Sequence, residues 1–291
     1  MSARERATAT FLRLPASVQQ RTLHALGKFA PWEAGFDHRA PVVGAELRTG
    51  PPDFVGVGVQ KAGTTWWYSL INQHPGVYHH EGFHKERHFF GRFCVAEFSP
   101  EDAREYQRWF PRPPGRLTGE WTPDYIHQHW VLPMLASSAP SAKLLVLLRD
   151  PVARFRSGLD HYRERGETLT PLLVSDAFAR GLYGEQLARL ESVFPRQQVL
   201  VLQYEACAKE TARFLAKTFR FLGLDDSFVP PGAHESVNRT KVTPLRLADR
   251  TRDQLTELYQ DDLRRLAAAH PELELDRWPS FATGAGLTQP R

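Results

Sequence analysis

Three short apolar runs, each followed by a polar turn and a helical pattern, set the plan of this chain. Residues 54–59 (Phe-Val-Gly-Val-Gly-Val), 143–148 (Lys-Leu-Leu-Val-Leu-Leu) and 199–203 (Val-Leu-Val-Leu-Gln) are too short for helices and too continuously apolar for strands with one wet face. Such runs predict parallel strands covered on both sides. After the first, a helix opens at Thr65 and stops before His74-Pro75-Gly76; after the second, Pro151 starts another. Residues 100–110 carry a Ser99 cap, a proline in the first turn and early acids, which predict a helix with Trp109 and Phe110 facing inward. Leu173, Phe178, Leu182, Leu187, Leu190 and Phe194 predict a helix over 172–194 with an interruption near 181–184. Helices over 210–222 and 244–268 and a short strand around 77–78 complete the reading. Strand and helix alternate without repeats, so the fold class is α/β, a central, mostly parallel sheet with helices on both faces.

Residues 31–52 hold proline and glycine without periodicity and read as a connection into the core. The expected organisation is an N-terminal extension over 1–52, a single domain over 53–282 and a mobile tail over 283–291. Residues 1–30 contain arginines and few acids, as transit peptides do, but Phe11, Leu12, Leu14, Val18, Leu23, Leu26 and Phe29 read equally as a helix packed on the body. We take the packing reading. At 291 residues, 42% hydrophobic and 24% charged, the chain has the make-up of a soluble globular protein with one core.

Charge narrows the choice of partner. A net charge of +4 with an isoelectric point near 9.1 suits a polyanionic nucleotide but lacks the dense Lys/Arg stripes of a nucleic-acid binder. Cys94 and Cys207 are far apart and without metal-ligand spacing, which favours a reducing, cytoplasmic setting over a disulfide framework or zinc site. No run reaches the ~18 apolar residues of a membrane span.

The turn after the first strand is chemically loaded. In Val59-Gln60-Lys61-Ala62-Gly63-Thr64-Thr65-Trp66, Gly58 and Gly63 let the backbone curl with its N–H groups inward, and the helix start adds unpaired amides and the positive end of a dipole. Lys61 adds a full charge. The spacing Gly58 to Gly63 matches a nucleoside-triphosphate loop, yet Lys does not follow Gly63, as that motif requires. Downstream, Lys85-Glu86-Arg87-His88-Phe89-Phe90 packs base, acid and aromatics together, and its cations keep Glu86 ionised. His80, His84 and His88 at spacings of four would form a metal set only on a helix running through Gly82, and no acidic or cysteine partners accompany them. After the second strand, Arg149 sits where ligands bind in open parallel sheets, and its planar fork suits a phosphate.

These segments resemble, in order, the motifs of the sulfotransferases that use 3′-phosphoadenosine 5′-phosphosulfate (PAPS). Gln60-Lys61-Ala62-Gly63-Thr64-Thr65 is similar to their 5′-phosphosulfate loop, and Lys85-Glu86-x-His88-Phe89-Phe90 to a stretch of the glycan group that includes the heparan sulfate enzymes. Arg149 through Ser157 resembles the 3′-phosphate signature, and Gly119-Glu120-Trp121-Thr122-Pro123-Asp124-Tyr125 a Glu-Lys-Thr-Pro-x-Tyr segment. The resemblance spans roughly residues 54–278 and implies a P-loop-like three-layer sandwich, with PAPS as donor and adenosine 3′,5′-bisphosphate (PAP) as product. It further implies Glu86 as the acceptor-activating base, His88 as its companion, and Lys61 with the loop amides at the sulfuryl group. Lys61, Ala62, Gly63, Thr64, Thr65, Trp66, Arg149 and Ser157 would hold the nucleotide, with Arg239, Thr240 and Lys241 closing over it. No metal is implied. Trp121 departs from the pattern, standing where several members carry a helpful lysine, and leaves Lys61 as the main nearby cation. It either lines an apolar acceptor wall or packs in the core. Trp66, Trp67, Trp121 and Trp130 would form an aromatic cleft for a small-molecule, lipid or sugar-bearing acceptor rather than a highly sulfated polymer. Two other readings compete, an ATP- or GTP-dependent kinase with Asp150 on magnesium and a silent nucleotide-binding protein.

Overall fold

A computed structural model describes residues 42–80, 84–94, 96–233 and 242–282, with a few isolated positions before residue 41. The expected packing of residues 1–30 and the tail from Thr283 therefore lie outside the described residues. Among these, four strands form one parallel sheet: β1 (Phe54–Gly58), β2 (Gly119–Trp121), β3 (Lys143–Leu148) and β4 (Val199–Gln203), in the order β2-β1-β3-β4. The helices are α1 (Thr64–Ile71), α2 (Pro100–Arg108), α3 (Val131–Ser138), α4 (Pro151–Glu164), α5 (Pro171–Ala179), α6 (Tyr183–Glu191), α7 (Tyr204–Lys209), α8 (Thr211–Leu222) and α9 (Asp249–Ala269).

Leu144 through Leu148 are all fully buried, so β3 is covered on both faces, as its unbroken apolar run requires. On one side α1 and α8 pack together, with Trp67 Nε1 donating to Thr218 Oγ1 at 3.2 Å; α4, α6 and α9 form a second group. The strand order places β1 beside β3 although the chain leaves them in opposite directions, towards β2 and towards β4. That reversal opens a crevice beyond the strand ends, the usual place for a ligand in open parallel sheets. The loop after β1 and the residues after β3 both empty into it.

Several sequence-predicted boundaries shift for identifiable reasons. The interruption expected near 181–184 does divide the 172–194 pattern, into α5 and α6, where the chain turns at Gly181-Leu182; a Cβ on Gly181 would meet the Tyr259 ring at 2.7–2.8 Å. The last helix begins at Asp249 rather than 244, since residues 243–245 are tied to α4: Asp160 accepts from Leu245 N at 3.0 Å and Arg163 donates to Thr243 O at 3.1 Å. The strand around 77–78 is a single bridge between Val77 and Leu117. Ser99 caps α2 as expected, in a reciprocal box with Asp102, and Phe110 is buried with Trp109 half-buried beside it. Near residue 210 a short helix, α7, precedes α8, which itself opens at Thr211.

Candidate active site at the strand ends

The loop from β1 to α1 needs two left-handed residues, Lys61 at φ 68° and Gly63 at φ 89°. Gly63 caps α1 without any side-chain cap, so the first-turn amides of the helix keep their donors for something else. The residue cannot be larger: a Cβ there would stand 2.8 Å from the Tyr204 ring. Arg149, at the end of β3, reaches across the crevice and donates from Nη1 to the Lys61 carbonyl at 3.1 Å, with its guanidinium 5.1 Å from the centre of Tyr204. Tyr204 in turn meets Trp66 edge-on at 5.9 Å. Lys61, Gly63, Trp66 and Arg149 are thus one packed cluster, with Ser157 two turns into α4 and half-buried. Burial pushes the Lys61 ammonium below its usual range, and Arg149 adds to this; Glu164, Asp160 and Glu86 pull the other way.

The carboxylate expected to act as base joins the same cluster. Lys85 Nζ donates to Thr64 Oγ1 at 3.2 Å and pairs with Glu86 Oε1 at 2.8 Å, while His88 Nε2 lies 3.1 Å from Glu86 Oε2. Burial alone would raise Glu86, but the His88 hydrogen bond and the Lys85 charge overcome it and bring the carboxyl down to about 2. His88 feels burial downward, outweighed by Glu86, Asp124 and Glu120, and ends raised. Glu86 is therefore ionised throughout the neutral range, as a base must be.

Lys85 was missed as a site residue, and its role revises the expectation that Lys61 is the main cation here. The available signal was its place directly before Glu86; the Thr64 hydroxyl it meets at 3.2 Å is 21 residues away in sequence. Trp121 is resolved in favour of the core. It is fully buried, its ring fills the space a Cβ on Gly56 would need (2.0 Å), and its Nε1 donates to Gly58 O at 3.1 Å. Trp67 is fully buried as well, and Trp66 is 7% exposed, so the aromatic cleft proposed from Trp66, Trp67, Trp121 and Trp130 does not form as a continuous wall; Trp130 is half-buried, donating to Phe90 O.

The histidine set does not assemble: His80 and His84 lie in irregular chain rather than on a helix with His88, and among the described residues no group of three His, Cys, Asp or Glu is placed to hold a metal. Asp150 is not free for magnesium either. Its oxygens accept from Val152 N, Ala153 N, Ser280 N and Ser280 Oγ, making it the cap of α4 and the anchor of the C-terminal segment. Arg239, Thr240 and Lys241 lie outside the described residues, though the chain leaving that loop is held against α4, the helix that carries Ser157.

Similarity to known proteins agrees with this geometry. A solved sulfotransferase structure from Alicyclobacillus acidocaldarius superposes with a TM-score of 0.63 at 26% identity, covering 79% of this chain and 99% of that one. Human heparan sulfate glucosamine 3-O-sulfotransferase 6 is 29% identical over 226 residues, 71% of this chain. The membrane-associated sulfotransferase kil1 of Dictyostelium discoideum is 34% identical over 103 residues, 35% of this chain. The chain spans 63% and 21% of the lengths of these two relatives. Residues 51–265, which hold the β1 loop, the Glu86 segment and the β3–α4 corner, match the sulfotransferase domain model, and the chain belongs to the sulfotransferase family.

Proposed function

We propose that this protein transfers the sulfuryl group of PAPS to a hydroxyl of a small-molecule, lipid or sugar-bearing acceptor, with an amine as the second choice. One observation carries the proposal: Glu86 is linked through Lys85 to the first turn of α1, so a base and an anion cradle share one site. The residues suit PAPS. The uncapped α1 amides, Lys61 and the close-packed Gly63 make an anion cradle, and Arg149 offers a guanidinium on the other wall of the crevice. PAPS supplies a sulfuryl group already activated by a phosphate leaving group.

The chain's own work is positioning, charge and one proton. Lys61, Lys85 and the loop amides stabilise charge on the sulfuryl oxygens and the departing phosphate. Glu86 takes the acceptor proton as the acceptor oxygen bonds to sulfur and the sulfur–oxygen bond to phosphate breaks; the proton then passes to solvent. The His88 hydrogen bond and the Lys85 charge keep Glu86 ionised and so able to take that proton. In the resting site Lys85 and His88 each hold one Glu86 oxygen, and each oxygen keeps a second lone pair for the acceptor hydroxyl. A kinase is disfavoured because Lys does not follow Gly63 and Asp150 is consumed as a cap.

Glu86→Gln tests the assignment, since it keeps size and removes basicity. Turnover in sulfuryl transfer from PAPS across a panel of hydroxyl acceptors should fall by about 10²–10⁴ while PAP affinity changes little. Turnover close to that of the parent would remove Glu86 from the chemistry.

A further inference from the structure

Glu120 is a fully buried carboxylate, and the chemistry derived above does not use it. Burial pushes its carboxyl above the usual range, and a buried polar group persists where hydrogen-bond partners meet it. Here four donors converge: Tyr106 Oη at 2.6 Å and Tyr125 Oη at 3.3 Å on Oε1, Thr122 Oγ1 at 2.5 Å and the Arg87 backbone N at 3.1 Å on Oε2. Two of these groups have a second duty. Thr122 Oγ1 accepts from Arg87 N at 2.9 Å and from His88 N at 3.4 Å, and Tyr125 Oη accepts from Phe89 N at 3.1 Å.

Three consecutive backbone amides, those of residues 87–89, are therefore held by Glu120 or by hydroxyls that donate to it. They are the amides of the segment that carries Glu86 and His88. His88 itself sits at φ 48°, a left-handed conformation that disfavours a residue with a side chain and persists only where the surroundings impose it. The left-handed turn brings His88 Nε2 back to Glu86, two residues earlier. Arg87 points the other way, its guanidinium 5.1 Å from the Trp109 ring and within the field of Glu120, which locks the segment from the far side.

We propose that Glu120 is a positioning residue: through Thr122 and Tyr125 it holds the backbone of residues 87–89 so that His88 meets Glu86 and the carboxylate faces the β1 loop. An apolar residue at 120 would fill the same space but accept nothing from Arg87 N and leave the Thr122 and Tyr125 hydroxyls without their shared acceptor, so the buried carboxyl serves geometry rather than packing. This inference rests on the Glu86 reading, but it is tested without turnover, so the two can fail separately.

The test follows the His88 ring by NMR titration in the full chain, with the resonance assigned through His88→Ala, and measures PAP affinity by calorimetry. Glu86, Asp124 and Glu120 all raise His88, so Glu120→Gln alters its titration by charge as well as by geometry. Thr122→Val changes no charge and is the decisive variant. It should bring the His88 midpoint down towards 6.5, its ordinary value, as the Glu86 contact loosens, with PAP affinity within about threefold of the parent. Thr122→Ser, which restores the hydroxyl, should restore the midpoint. If Thr122→Val does not fold, Tyr125→Phe removes the partner of Phe89 N with little change of volume and should give the same shift. An unchanged His88 midpoint in the charge-neutral variant, or no recovery in Thr122→Ser, overturns the proposal.

Discussion

Replacing Gly63 by alanine tests the anion cradle through its tightest contact. The added Cβ would lie 2.8 Å from both Cδ2 and Cε2 of Tyr204, closer than packed carbons approach. Tyr204 has little room to yield, because it opens α7 directly after β4 and its ring lies between Trp66, at 5.9 Å, and the Arg149 guanidinium, at 5.1 Å. Two costs add. Holding a residue with a Cβ at φ 89° costs about 1–2 kcal/mol, and forcing an extra carbon into a packed contact about 1–3 kcal/mol, so the loss in stability should be about 2–5 kcal/mol. Gly166→Ala is the control, since Gly166 has φ 77° with nothing within 4 Å of the added carbon and should lose only the first cost. Urea unfolding followed by tryptophan fluorescence reads both variants. Whatever relieves the Gly63 clash moves Arg149 or the loop amides, so PAP affinity should fall about tenfold or more in Gly63→Ala and stay unchanged in Gly166→Ala. Equal, small losses in the two variants with parental PAP affinity would refute the reasoning.

Trp121→Lys introduces the lysine that the resemblance implies at this position. Because Trp121 is fully buried over Gly56, the change should destabilise by more than about 3 kcal/mol, measured by chemical unfolding, and leave transfer unimproved; parental stability would show that the position opens to the site. The Glu86–His88 pair predicts a pH window. Glu86 is lowered from 4.5 to about 2, so its contribution is present above 4.5 and is lost as pH falls towards 2; His88 is raised from 6.5, so its contribution is present below 6.5 and is lost as pH climbs through its folded value. The stability deficit of Glu86→Gln should therefore be largest between pH 4.5 and 6.5, and a deficit that keeps growing above that window would contradict the pairing.

The strands were legible because burial on both faces leaves an unbroken apolar run: β4 lies at 199–203 as read, and β3 at 143–148. Helix starts with local chemistry were legible too, the Ser99 cap before Pro100 and Pro151 at the start of α4, since these signals are written within four residues. Ends set by distant contacts were not. Nothing local to 244–248 announces that Asp160 and Arg163 will hold residues 243–245 out of the helix, whereas the break near 181–184 was written in its glycines. The candidate site divides in the same way. Lys61, Gly63, Arg149 and Glu86 stand in motifs, whereas the service of Lys85 to both Thr64 and Glu86, and the grip of Glu120 on residues 87–89, depend on pairings 21 to 36 residues apart. Trp121 shows the limit most plainly, because one fully buried ring against one glycine decided between two readings that composition left open.

On the proposed function, the crevice between β1 and β3 takes a nucleotide carrying a 3′-phosphate and a 5′-phosphosulfate. The most direct measurement is calorimetric titration of the full chain, in chelator and without added metal, with PAP and with adenosine 5′-monophosphate. PAP should bind, and removing its 3′-phosphate should weaken binding by roughly 30-fold or more, about 2 kcal/mol or above for a charge-assisted contact, with Arg149→Ala abolishing most of the difference. Equal affinity for the two nucleotides would contradict it.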